Sequence, residues 1–358
     1  MKRIILTALL AFIVLGFCFA LSDDARFTYS VISEKEQVKK GSPYKEDAVK
    51  LAQETGTIRF YFMHGEGLAM SSTSTKWGDA TLIVFPNGQT MLIDSGMAAY
   101  GKTLVHNIKQ LGVKQLDYVI LSHNHPDHFG GLFDSNGILK SFKVVNYYWN
   151  GLNCDYNKNQ ANVYNNGMKK YAKKIQNINV LSEGDTIEIS PDIHIEILNP
   201  SQEQKDAYLK LNEGLMSEGM NSESLAVKLT YKDFSAMFCG DMYQNREEYL
   251  VEHYGPEVLD VDLMKANHHG TDVSNGKKWA AATTPRVVVA MYGYQMAGTA
   301  YSNYAEHGAY VFAEYFDGYI RVVSDGKSYC DVTRSKVRTT NLYTYYDKIA
   351  QSIYPPEK

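Results

Sequence analysis

Cysteine is scarce in this chain, four residues in 358, and no two of them stand as Cys-x-x-Cys. That excludes a thiolate metal site and a dense disulfide framework. A basic excess is also missing: 36 Lys and Arg face 40 Asp and Glu, a net charge of −4. A mildly acidic chain is poorly suited to holding a long nucleic acid by its phosphates. No internal repeat and no low-complexity block interrupts the sequence, so solenoids and disordered tracts are set aside. A nucleophile elbow of the Gly-x-Ser-x-Gly type is absent as well, which removes serine-hydrolase chemistry of that kind.

Long apolar runs are absent with one exception, at the start. Lys2 and Arg3 precede an almost unbroken apolar stretch over residues 4–20, and Ser22-Asp23-Asp24 follow at once. This is the layout of a secretory signal peptide cut near Ala20; the alternative is an uncleaved membrane anchor. Either way the body of the protein is expected outside the cytoplasm, secreted or at the cell surface. Loss of residues 1–20 would remove two basic and no acidic residues, taking the charge from −4 to −6. It would also remove Cys18. Cys239, inside the apolar run 236–239, reads as a buried small hydrophobe, while Cys154 and Cys330 are a candidate pair in an oxidising compartment.

Residues 21–56 are polar and charge-rich and are expected to form an N-terminal arm or linker. From residue 57 short apolar segments alternate with turn signals. Residues 81–85 read as a strand, Pro86-Asn87-Gly88 as its turn, and residues 91–93 as the hairpin partner. Leu104, Ile108 and Leu111 mark one face of a helix that stops at Gly112. Residues 118–121 form an apolar strand buried on both faces. Further strands are expected over 143–148, 193–198, 224–231, 235–239, 261–266 and 286–291, with a closing pair near Ile320 and Cys330. Strand pairs broken by helices imply an α/β architecture of two mixed sheets packed face to face with helices outside. The domain is placed at 57–332, followed by a polar, tyrosine-rich tail over 333–358.

The strand 118–121 leads into His123-Asn124-His125-Pro126-Asp127-His128. Residues two apart in an extended segment project to the same side, so His123 and His125 face together. Pro126 turns the chain, and Asp127 and His128 arrive from the start of the next helix. Imidazole and carboxylate at one sheet edge are the donors that zinc takes at about 2.0–2.2 Å. Asp241 follows another strand, and His268-His269-Gly270 follows a third, again at strand ends.

These pieces, in this order, resemble the metallo-β-lactamase superfamily, from about residue 58 to residue 331. The nearest branch holds the ComEC/Rec2-type competence-protein hydrolase domain. The resemblance is carried by residues 91–96, 123–131, Gly184-Asp185-Thr186-Ile187, 224–227, 239–241, His268-His269-Gly270-Thr271 and Ser324-Asp325-Gly326. It implies a four-layer αββα fold with one or two zinc ions. His123 and His125 would serve one metal; Asp127, His128 and one of His268 and His269 the other; Asp241 would bridge them. Asp94 would hold the loop from behind the ligands, and with Asp127 is counted among the residues serving catalysis.

Two departures stand out. Many members carry a further histidine before the Gly-Asp strand, where this chain reads Met220-Asn221-Ser222-Glu223-Ser224. His194 is the nearest upstream histidine, so the first metal site is expected to be weak or completed by water. The branch's early Gly-Gln-Gly-Asp turn is replaced by His64-Gly65-Glu66-Gly67, a Ser/Thr-rich insertion, and then Gly78-Asp79; His64 lies near the site or on the surface.

A metal pair suits phosphodiester, lactone, thioester and β-lactam cleavage alike, with water activated at the metal as nucleophile. The expected function is an exported phosphodiesterase acting on a small or cell-wall-linked ester. The alternatives are an exported nuclease, a β-lactam or lactone hydrolase, and a degenerate, non-catalytic metal-binding module. The aromatic run Tyr147-Tyr148-Trp149 is a candidate substrate wall, whose ring faces would suit a choline-phosphate ester by cation–π attraction; the competing reading packs these rings in the core.

Overall fold

The computed structural model describes residues 27–31, 44, 45, 47, 56–63, 77–153, 157–210, 217–291, 298–327 and 330–335. The expected signal peptide, His64, Cys154 and most of the tail lie outside the described residues. Sixteen strands are found among those described. The first nine in chain order are β1 (Phe27–Val31), β2 (Ile58–Phe62), β3 (Thr81–Val84), β4 (Thr90–Ile93), β5 (Leu116–Leu121), β6 (Val144–Trp149), β7 (Ile175–Val180), β8 (Thr186–Ser190) and β9 (Ile193–Asn199). The others are β10 (Ala226–Tyr231), β11 (Phe234–Phe238), β12 (Leu263–Lys265), β13 (Val287–Ala290), β14 (Tyr310–Ala313), β15 (Ile320–Ser324) and β16 (Cys330–Arg334).

They form two mixed sheets. One runs in the order β1-β16-β15-β2-β3-β4-β5-β6-β7, the other β14-β13-β12-β11-β10-β9-β8. Between the sheets lies a core that includes Phe60, Ile83, Met91 and Ile120 from the first and Ile195, Val227, Leu263 and Val289 from the second. Alternate residues of the same strands face outward. Leu82, Leu92 and Val119 pack under the helices α1 (Gly101–Gln110), α2 (Pro126–Phe133) and α3 (Lys158–Tyr171). Met237, Met264 and Val288 pack under α4 (Gln244–Tyr254), α5 (Lys277–Thr283) and α6 (Gly298–Ala305). Where both faces are covered, as at β3, β4 and β13, every residue of the strand is buried, whereas the edge strands β7 and β8 keep polar, exposed positions. This is the four-layer αββα arrangement.

Cys239 is buried in the second outer layer and Cys330 between the sheets. The arm is more than a linker: β1 adds a parallel edge strand beside β16. Asp47 is buried and accepts hydrogen bonds from Tyr319 and Arg321 of β15 and its approach. The C-terminal boundary also moves, since β16 continues to Arg334, whose side chain is buried and donates to Asp317 at 2.8 Å. Thr333 to Ser335 therefore belong to the domain rather than to the tail.

Candidate metal centre

Parallel strands leave their carboxyl ends at one edge, and that edge carries the chemistry. β4 and β5 are parallel neighbours, as are β11, β12 and β13. Asp94 follows β4, His123 follows β5, Asp241 follows β11, and His268 and His269 follow β12. Ligand sites in open α/β sheets commonly sit outside strand carboxyl ends for this reason.

The first group is the His123–His128 turn. His123 Nε2 and His125 Nδ1 lie 2.8 Å apart, and both rings are buried. Burial, reinforced by neighbouring histidines, pushes His123 well below its ordinary pKa, and burial takes His125 down to about 4. Both rings are therefore neutral at pH 7, and the contact between them is a hydrogen bond from one ring nitrogen to the other. Pro126 then opens α2, which supplies Asp127 and His128.

His128 and His269 are held in matching ways. Asp94 Oδ2 meets His128 Nδ1 at 2.8 Å, while its Oδ1 accepts from Ser122 N at 2.8 Å. Asp79 Oδ1 meets His269 Nδ1 at 2.9 Å. With Nδ1 bonded to a carboxylate, each ring turns Nε2 inward. His128 Nε2 lies 3.2 Å from Asp241 Oδ1; His269 Nε2 lies 3.2 Å from Asp127 Oδ2 and 3.2 Å from Asp241 Oδ2. Asp241 thus stands between the two rings. Burial opposes a charged imidazole, yet Asp241 and Asp94 hold His128 well above its ordinary pKa. Asp241 and Asp79 do the same for His269. Burial would raise the carboxyls, but His128 and His269 hold Asp127 at about 2 and Asp241 well below the usual range.

His268 and His269 divide the work expected of one of them. His269 is buried, whereas the His268 side chain is 21% exposed, with Nε2 3.8 Å from Asp241 Oδ2. His268 Nδ1 is instead paired with Thr271 Oγ1 at 2.8 Å. His269 is the inner ligand candidate and His268 sits at the rim.

Two residues enter that the motif did not include. The donor atoms of Asp79, His128, Asp241 and His269 all lie within 4.8 Å of one another. Asp79 nonetheless acts from behind: one oxygen is bonded to His269 and the other contacts the Lys265 ammonium. Lys265 is buried, donates to Gly240 O at 2.7 Å, and lies 3.7 Å from Asp241 Oδ1. Burial would lower its pKa, but Asp79 and Asp241 raise it, so the ammonium stays charged. Gly78 makes the placement of Asp79 feasible, because a Cβ there would stand 2.2 Å from the Asp127 carbonyl oxygen.

The residues present fit a metal ion. His128 Nε2 and Asp241 Oδ1 are buried without a well-formed hydrogen bond. Imidazole nitrogens and carboxylates converge on them, a donor set suited to zinc and to other divalent metals. In the segment where the additional histidine was missing, Asn221 to Ser224 are buried and serve the scaffold. Ser224 Oγ accepts from Asp241 N at 3.2 Å, and Asn199 donates to the Ser222 and Ser224 carbonyls. His194 is a strand histidine, paired opposite Thr230 and Glu188. It stands five residues before Asn199, the end of β9 nearest the site, or roughly 16 Å along the strand.

The aromatic run Tyr147-Tyr148-Trp149 is divided between the two faces of β6. Successive residues of a strand point to opposite faces, and both faces of β6 are covered. Tyr147 is fully buried on the helix side and bonds Tyr164 at 2.9 Å. Trp149 packs on that same side, its ring centroid 5.3 Å from Tyr164, while Tyr148 packs on the inter-sheet side. Tyr147 is thus committed to the core, and Tyr148 and Trp149 are half-buried on opposite faces of β6.

Competence protein ComA of Neisseria gonorrhoeae is 23% identical over 218 residues, 61% of this chain; the match spans 26% of that protein's length. Among solved structures, the metallo-β-lactamase fold protein YhfI of Bacillus subtilis aligns with a TM-score of 0.44 at 13% identity, covering 72% of this chain and 96% of that one. Zinc-bound PqqB of Methylobacterium extorquens aligns with a TM-score of 0.44 at 10% identity, covering 71% and 97%. Residues 78–286 match the metallo-beta-lactamase superfamily, a span that holds every ligand candidate described above, and the chain belongs to that superfamily.

Proposed function

We propose that this chain is an exported, metal-dependent phosphodiesterase acting on a small or cell-envelope-linked phosphodiester. The observation that carries the hydrolase reading is the pair of carboxylate-backed histidines, Asp94–His128 and Asp79–His269, whose inward nitrogens meet at Asp241. Such backing fixes the tautomer and raises the basicity of the ligating nitrogen. A bound divalent ion, zinc by donor type, supplies Lewis-acid polarisation and lowers the pKa of water toward neutrality.

The chain's own residues do the rest. Asp241 and Asp127 stay ionised, and with the neutral His123 and His125 they define the floor of the site. Asp127 is partly open, its side chain 18% exposed, and His268 stands on the same accessible side. Burial lowers the His268 pKa, so its neutral ring meets incoming substrate from the rim rather than from the floor. The choice of a phosphodiester rests on the resemblance to the competence-protein branch, and export rests on the N-terminal sequence. The acidic balance argues against a long nucleic acid.

The test is one preparation assayed for metal content and for turnover of bis(p-nitrophenyl) phosphate, single-stranded DNA and a chromogenic cephalosporin. Metal-dependent cleavage of the phosphodiester, with the other two slower, is expected. Cleavage confined to DNA or to the cephalosporin would replace the reading. Metal binding without turnover of any of the three would return the protein to a binding role.

A further inference from the structure

Two successive non-glycine residues of the metal centre sit in the left-handed region. His268 has φ 45° and ψ 51°, His269 has φ 57° and ψ 10°, and Gly270 follows at φ 89°. L-residues with side chains avoid this region, and a run of two persists only where the surroundings over-determine it. The turn cannot be held by its histidine rings alone, because His269 is also the ligand whose direction matters.

What surrounds the turn is a buried polar clamp centred on Glu247 of α4. Glu247, Asn267 and Asn275 are fully buried. Glu247 Oε1 accepts from Asn267 Nδ2 at 2.7 Å and from Asn275 N at 2.6 Å, and Oε2 accepts from Gly276 N at 2.8 Å. Asn275 closes the ring: its Oδ1 accepts from Asn267 N at 2.9 Å, and its Nδ2 donates to Asn267 O at 2.8 Å and Thr271 O at 3.1 Å. Tyr304 donates to the same Oδ1 at 3.0 Å. The clamp therefore grips residue 267, just before the two histidines, and residue 271, just after Gly270. The far side is fixed by His268 N donating to Gly240 O at 3.0 Å, one residue before Asp241.

All three partners of Glu247 are N–H donors, so the clamp needs an acceptor-only carboxylate at its centre. Burying a carboxylate among neutral amides is costly, and burial does push Glu247 up to about 7. A core in this position could have been apolar. The hydrogen-bond pattern explains why it is not: the carboxylate gathers the two ends of a strained turn.

We propose that Glu247 is the positioning residue of the metal centre, acting through Asn267 and Asn275 to hold the His268–His269 turn and thereby setting metal affinity. This rests on the metal-site reading above. The test uses the metal-free full-length chain, with Zn²⁺ competition against a chromophoric chelator and the visible spectrum of the Co²⁺-loaded protein. Glu247→Gln puts a donor where an acceptor is required. Asn275→Gly removes the clamp's side chain while tolerating the positive φ of 62° at that position, and carries the test where the glutamine variant does not fold. Leu250→Ala, on the same helix and in the apolar layer beneath it, is the control for lost stability alone. Both clamp variants are expected to weaken Zn²⁺ binding ten-fold or more, the range found when supports behind metal ligands are removed, and to alter the Co²⁺ spectrum. Leu250→Ala should lower the melting temperature and leave both readouts unchanged. Clamp variants with wild-type affinity and spectrum, or changes that Leu250→Ala reproduces, overturn the proposal. Failure of the wild-type chain to bind either ion would instead sink the metal-site reading.

Discussion

Asp79 offers the sharpest separation between stability and metal binding. Its two oxygens have different tasks: Oδ1 orients His269 and Oδ2 neutralises Lys265. Both members of the ion pair are buried, Asp79 4% and Lys265 3% exposed. Asp79→Ala leaves the ammonium with Gly240 O and the more distant Asp241 oxygen at 3.7 Å. Removing one partner of a buried pair costs about 3–5 kcal/mol. At about 2–3 °C per kcal/mol for a domain of this size, the melting temperature of the metal-free chain should fall by roughly 6–15 °C. Loss of the bond behind His269 should weaken metal binding about 10- to 100-fold. The double variant Asp79→Asn with Lys265→Met divides the two effects. With neither charge left to strand, most of the stability should return, while metal affinity stays below wild type because a neutral amide no longer enhances the basicity of His269. Thermal unfolding without metal and chelator competition with Zn²⁺ give both numbers. An Asp79→Ala chain with unchanged melting temperature and unchanged affinity would refute this account of the site.

Two further outcomes follow from the geometry. His128 and His269 have raised pKa values in the metal-free fold, so they carry protons at pH 7 that an incoming metal must displace. Metal binding should therefore release protons and strengthen as pH rises from 6 to 8, which calorimetry in buffers of different ionisation enthalpy detects; pH-independent binding would contradict it. Tyr147→Phe should cost about 1 kcal/mol of stability through the lost bond to Tyr164 and leave turnover unaffected, whereas a change in kcat or KM with stability retained would restore Tyr147 to the substrate pocket.

The layers of the fold were legible because the central strands, such as β3, β4, β5 and β13, are short, largely apolar and bounded by turn residues, and because the His123–His128 run is contiguous; the polar edge strand β7 carries no such pattern. What was hidden depends on contacts made across long stretches of chain. Asp79 meets His269 at a separation of 190 residues and Asp47 meets Arg321 at 274; neither has a local pattern that announces its partner. Lys265 did carry a signal, a positive charge directly after Leu263-Met264 in the strand expected over 261–266, and a buried charge there needs a partner. The Phe-Thr-Tyr-Ser-Val alternation of β1 was likewise visible but lay within a polar stretch. The run Tyr147-Tyr148-Trp149 is contiguous in sequence, but strand pleating sends Tyr148 to the face opposite Tyr147 and Trp149.

The most direct test of the central claim is a crystal structure of the metal-loaded chain with anomalous scattering collected at the metal edge, paired with turnover of bis(p-nitrophenyl) phosphate by wild type, Asp127→Asn and His269→Ala. The account predicts an anomalous peak bounded by His128 Nε2, His269 Nε2 and the Asp127 and Asp241 carboxylates, and turnover lost in both variants while their folds are kept. A peak elsewhere, or either variant cleaving at the wild-type rate with full metal content, would contradict it.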